Sequence, residues 1–283
     1  MAFVIGIPLS QAIMKIADFN PADMASYQWA GEAWASTGNP YSQAPVIVDG
    51  NPIYRYAPWF ALPWIGLSVL PSQLVELVWV LAMVTCAVLA VIPLFRAYGV
   101  RAFPLGGFFL GWLIAIGLNG NVQPALVALL AWGVGRRWGP LAIAIGASLK
   151  AVPILYVIVY AGRGEWRKVA WTVALTVPLV APMLLFDIPA ISTEAGESYS
   201  LYGTSPLLWA AAAAVGSVTA FLLARTRWAW LAAGVAVLLA LPRAFVYDIT
   251  FLLPGLSERR PGERRAHKDV AEPRSTTVEG STA

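Results

Sequence analysis

Four charged residues stand apart in this sequence: Asp23, Arg55, Lys150 and Arg243. An ionisable group at membrane depth is expensive and is a functional candidate by default. A cation beside a lipid-walled cavity suits an anionic headgroup such as a phosphate, and Lys150, three residues before Pro153, is the leading candidate. Each cation can equally snorkel to the interface, and Arg243 can pair with nearby Asp248. Asp23 is the matching acid. It leads a run of aromatics and alanines that ends in Gly38-Asn39-Pro40-Tyr41. An N-cap is the simplest role for it, because Met24 to Ala30 make a good helix start. That helix would set Tyr27, Ala30 and Trp34 on one stripe, as an interfacial helix does.

These residues matter because of the elements around them. The 283-residue chain is 59% hydrophobic and only 12% charged, about half the charge of a soluble domain, with a mean hydropathy of +0.67. Apolar runs such as 74–95 mark a polytopic, all-α membrane protein. Short basic breaks separate the runs: Arg96/Arg101, Arg136/Arg137, Arg163/Arg167/Lys168 and Arg225/Arg227. Positive residues collect on the cytoplasmic side, so these breaks are expected there. Asp18, Asp23, Glu32 and Asp49, and later Asp187, Glu194 and Glu197, mark two outward loops. The net charge of +4 is therefore a topology signature and not a nucleic-acid footprint.

This rule predicts a path. Residues 2–16 go out and 17–57 form an outer loop. Spans follow at 74–95, 103–118, 122–135, 169–186, 206–224, 228–241 and 245–256. Residues 57–71, with Pro58, Pro63 and Pro71, read as an interfacial or re-entrant piece. Residues 139–162 carry basic residues at both ends, so they must enter and return near Lys150, as a broken hairpin of two short helices. Arg55 falls in the outer loop, while Lys150 and Arg243 fall at outer helix ends, against the positive-inside trend. The first helix is short, and it lacks the basic start and cleavage site of a signal peptide. The transmembrane domain covers 1–256, and the polar tail 257–283 is expected to be a disordered cytoplasmic segment. Cys86 reads as packing, and with one His there is no cluster for zinc or haem.

Asp23, Tyr27, Ala30, Ala33 and Gly38 to Tyr41 resemble the first outer loop of glycosyltransferase family 87, the polyprenol-phosphate-mannose-dependent mannosyltransferases. The resemblance continues in Tyr54-Arg55-Tyr56-Ala57-Pro58, in Gly120-Asn121-Val122-Gln123, and in Leu149-Lys150-Ala-Val-Pro153 followed by Arg163, Trp166 and Arg167. Pro242, Tyr247 and the leucine-rich end at Pro254 close it. It implies a GT-C architecture with the active site on the outer face, beneath the first loop. It also implies that Asp23 is the catalytic base. No cofactor is expected.

Sugar transfer from a lipid phosphate needs a base for the acceptor hydroxyl and positive charge where the phosphate leaves. Asp23 can supply the first, and Lys150, with Arg55 or Arg243, the second. Tyr27, Trp29, Trp34, Tyr41, Tyr54 and Tyr56 can offer flat faces to sugar rings or anchor the loop in the headgroup region. The expected function is transfer of a hexose, mannose first, from a polyprenyl-phosphate donor to a lipid or glycan acceptor. The expected place is the outer face of a bacterial plasma membrane. The partners would be donor, acceptor and membrane lipids, without nucleic acid. A transporter or flippase, or a non-catalytic membrane partner, is the alternative.

Overall fold

A computed structural model describes residues 2–17, 21–42, 54–187 and 199–257. Among them the chain forms α- and 3-10 helices and no strands. Asp18, Asp49, Glu194, Glu197 and the tail from 258 lie outside the described residues.

The helices are α1 (Ala2–Ala17), α2 (Ala22–Thr37), α3 (Leu62–Leu67), α4 (Ser72–Tyr98), α5 (Phe103–Leu118), α6 (Gln123–Gly133), α7 (Gly139–Leu149), α8 (Val157–Arg163), α9 (Trp166–Val180), α10 (Pro206–Leu222), α11 (Ala229–Ala240) and α12 (Leu253–Leu256). Their bounds follow the apolar runs within a few residues, because each basic or Gly/Pro break ends a helix. Gly99, at φ 58°, separates α4 from α5, and the two then pack against each other. The stretches Ser72–Leu118 and Trp166–Leu185 are long and apolar enough to cross a membrane. Their outer faces are bare. Leu77, Val78, Leu81, Trp171, Val177, Leu184 and Leu185 are all exposed.

Residues 139–162 do reverse. Lys150 leaves α7 in an extended conformation (φ −136°, ψ 116°), and a 3-10 turn, Val152–Tyr156, leads into α8. The two arms return to the same end, where the Tyr160 hydroxyl donates to Val134 O at 2.6 Å beside Gly139. Residues 58–67 are short helical turns tucked under α2. Gly31 makes this possible: a β-carbon there would meet Trp64 at 2.7 Å.

The bundle has two distinguishable ends. At one lie the start of α2, the α5–α6 turn, the tip of the α7–α8 hairpin and the residues after α11. At the other lie the ends of α4, α6, α8 and α12 and the start of α11. The core between them is built from Leu94, Phe109, Leu113, Leu126, Val127, Ile143, Tyr156, Trp230 and Phe251. Small residues let the helices approach closely, as where Gly216 on α10 meets Ala236 on α11.

Candidate functional site

At the first end, the turn Asn119-Gly120-Asn121 closes around Asp23. The side-chain amides of Asn119 and Asn121 both donate to Asp23 Oδ2, at 2.7 and 3.0 Å. The Asp23 backbone N–H donates to Asn119 O at 3.1 Å, and Lys15 Nζ donates to Asn119 Oδ1 at 3.1 Å. Among the described residues no group donates to Asp23 Oδ1. Asp23 is therefore not a cap. The N-cap position of α2 is Pro21, whose carbonyl accepts the Met24 N–H, and the Asp23 side chain turns out of its own helix toward the α5–α6 turn. Glu32 is exposed on α2, away from this turn.

Gly120 makes the turn possible. It sits at φ 79°, and a β-carbon would lie 2.8 Å from Met24 Cβ. Trp79 Nε1 fixes its carbonyl at 2.7 Å. Gly120→Ala is expected to lower stability by about 1–3 kcal/mol, read as a lower thermal midpoint in detergent. An unchanged midpoint would mean the turn is not held this tightly.

The aromatic residues form a holding cluster. Tyr27, Tyr41 and Tyr54 are almost wholly buried, at 0%, 2% and 0% exposure, so their ring faces are covered by protein and not presented to a sugar or to the headgroup layer. The Tyr27 ring meets Tyr56, Phe60 and Trp79 edge-on, with centroids 5.1–5.9 Å apart. Its hydroxyl accepts the Val122 N–H at 3.3 Å and donates to the Tyr56 hydroxyl at 3.2 Å. Tyr41 donates to Tyr56 O at 2.6 Å and Tyr54 to Ala57 O at 2.9 Å. These contacts press residues 54–57 onto α2. The expected stripe of Tyr27, Ala30 and Trp34 lies in this cluster and is wider than expected, since Met24, Ser26, Gly31 and Ala33 are buried as well.

The cations gather in the second half of the site. Lys150 Nζ donates to Asp248 Oδ1 at 3.2 Å, and Asp248 Oδ2 accepts the Phe245 N–H at 2.9 Å. The expected Arg243–Asp248 pair is absent among the described residues. Asp248 faces Lys150, and Arg243 lies over the Phe245 ring at 4.8 Å. Phe245 stacks on Tyr247 (5.3 Å, 10°), and Lys150 sits over Tyr247 at 5.2 Å. The result is a layer of cation, ring, ring, cation. Arg243 Nε is buried without a hydrogen-bond acceptor among the described residues. Arg55 lies near Arg243. Burial first, and the Arg243 guanidinium second, pull its pKa below the ordinary arginine value.

Three links join the two halves. Ala57 N–H donates to Ser148 O at 3.1 Å, and Trp59 Nε1 to Ser148 Oγ at 3.2 Å, tying residues 57–59 to the residues just before Lys150. Gln123 donates its backbone N–H to Asn121 Oδ1 at 2.8 Å and its side-chain amide to Thr250 Oγ1 at 3.2 Å. Tyr56 stands between the acids. Burial first, then the Asp23 carboxylate and more weakly that of Asp248, raise its pKa, against an opposing hydrogen bond with Tyr27. Asp23, Lys150, Arg55 and Arg243 thus share one end of the bundle.

Asn119 and Lys15 are not expected from the sequence. The available signal for Asn119 is its place beside Gly120-Asn121, a polar break within apolar sequence. Among the described residues no group of His, Cys, Asp and Glu could hold a metal ion. No known protein family, curated protein or solved structure matches this chain.

Proposed function

We propose that this protein is a multi-pass membrane glycosyltransferase of GT-C type that moves a hexose, mannose first, from a polyprenyl phosphate to a lipid or glycan acceptor. Asp23 Oδ1 takes the proton of the acceptor hydroxyl. The acceptor oxygen bonds to the anomeric carbon while the sugar–phosphate C–O bond breaks, and the phosphate leaves with the electron pair. Arg243, Arg55 and Lys150 face that developing charge. Lys150 keeps its bond to Asp248 and still has further N–H groups for an anion. The observation that carries this reading is one carboxylate oxygen without a donor among the described residues, at the same end of the bundle as three cations.

The resemblance to glycosyltransferase family 87 supports the choice of donor. The basic breaks support an orientation in which this end faces outward, on a bacterial plasma membrane. Tyr27, Tyr41 and Tyr54 hold residues 54–57 in shape, and the sugar contacts fall to the polar edges of the half-buried Tyr56 and Tyr247.

Membranes holding the protein, given polyprenyl-phosphate mannose labelled in the sugar, are expected to pass label to a new product. Label that changes sides of the membrane without leaving the polyprenyl phosphate would overturn this reading in favour of transport.

A further inference from the structure

The other end of the bundle holds a cavity of about 990 Å³, whose charged lining among the described residues is Arg96, Arg136, Arg163, Arg225, Arg227 and Glu165. This volume is in the range of small-ligand sites. The Glu165 carboxylate is paired with Lys168 at 2.5 Å.

The arginines are held by their surroundings. Arg96 lies over Trp132 at 4.8 Å, Arg163 over Trp230 at 5.2 Å and Arg227 over Trp228 at 4.7 Å. Arg163 Nε donates to Ala224 O at 2.7 Å, and Arg225 Nε to Gly162 O at 3.3 Å. These bonds tie the end of α8 to the α10–α11 turn and bring guanidiniums from four separate breaks around one space.

A cytoplasmic bias in charge explains why the breaks are basic. It does not explain why all five lining cations are arginine, or why three of them rest on tryptophan rings. A planar guanidinium fork matches phosphate oxygens two at a time, and ring stacking fixes its plane. Cations gathered around one cavity attract a polyanion that can reach several of them at once.

We propose that this cavity is a binding site for a phosphate-bearing polyanion, either a soluble diphosphate or the headgroup of an anionic phospholipid. It lies at the opposite ends of α6, α11 and the α7–α8 hairpin from Asp23, so it is a second site and does not rest on the transfer reaction. Basic pockets between helices on the cytoplasmic side are well suited to such headgroups.

The test uses the full-length protein in a neutral detergent and follows its thermal midpoint. Two probes are titrated, inorganic pyrophosphate and mixed micelles containing cardiolipin, with phosphatidylcholine micelles as the neutral control. The midpoint is expected to rise with at least one probe, and which probe acts identifies the source. Arg136→Gln/Arg225→Gln should raise the half-saturating concentration about tenfold or more. Should that pair not fold, Arg136→Gln alone, on the exposed rim, should raise it in the same direction. Arg101→Gln, a cation of the α4–α5 turn outside the cavity, should leave it unchanged. No shift with either probe, or equal weakening by Arg101→Gln, would overturn the proposal.

Discussion

Asp23→Asn is expected to lose at least about a hundredfold in transfer rate, the usual scale for removing a general base, while the protein stays folded in the membrane. The geometry makes this substitution clean. An asparagine at position 23 still offers one oxygen to the Asn119 and Asn121 amides, so the turn keeps both hydrogen bonds. What changes is the other side-chain position, where an amide N–H₂ replaces Oδ1 and cannot take a proton. Transfer would be measured with labelled donor, and folding by the thermal midpoint. Near-normal transfer by Asp23→Asn would make Asp23 a structural acceptor, and Asp18 the next acid to test.

Lys150→Ala is expected to have the largest effect on stability. Asp248 is 2% exposed and Lys150 18%. Removing one partner of such a buried pair leaves an uncompensated charge and costs about 3–5 kcal/mol. The loss alone would not separate support of Asp248 from service to a phosphate. Removing both charges does. Lys150→Met/Asp248→Asn should recover most of the thermal midpoint, because an asparagine at position 248 keeps an oxygen for the Phe245 N–H, yet should still use the lipid donor poorly. Lys150→Arg should retain part of the donor use. If the double variant transfers sugar as the unaltered protein does, Lys150 serves only to neutralise Asp248.

Much of the path is legible in the order of residues alone. Apolar runs broken by arginine predict the helix order and most bounds, and the basic ends of 139–162 predict the hairpin with Lys150 at its tip. Arg55, Lys150 and Arg243 stand out because they contradict the charge pattern, and they share one end of the fold. Pairing is what a sequence does not carry. Asn119 reaches Asp23 across 96 residues and Asp248 reaches Lys150 across 98, and no periodicity links such positions. Nearness in sequence favours Arg243 for Asp248. The 3-10 turn from Val246 instead spends one Asp248 oxygen on the Phe245 N–H and aims the other at Lys150. The buried tyrosines escape a sequence reading for a related reason: an aromatic-rich loop has the same composition whether its rings face a ligand, lipid or one another.

The separation of these partners along the chain also sets a timetable for synthesis. At about 5–20 residues per second, a gap of 98 residues takes roughly 5–20 s. Asp23 waits about that long for Asn119 and Asn121. Lys150 then waits as long again for Asp248, which comes after the eleventh helix. The acid half of the site is therefore assembled before Lys150 and Arg243 are made, and a nascent chain that stops after α11 carries Asp23 in place but leaves Lys150 without its carboxylate. Completion of the site coincides with arrival of Val246–Leu252, which makes that segment the final step in assembly of the site.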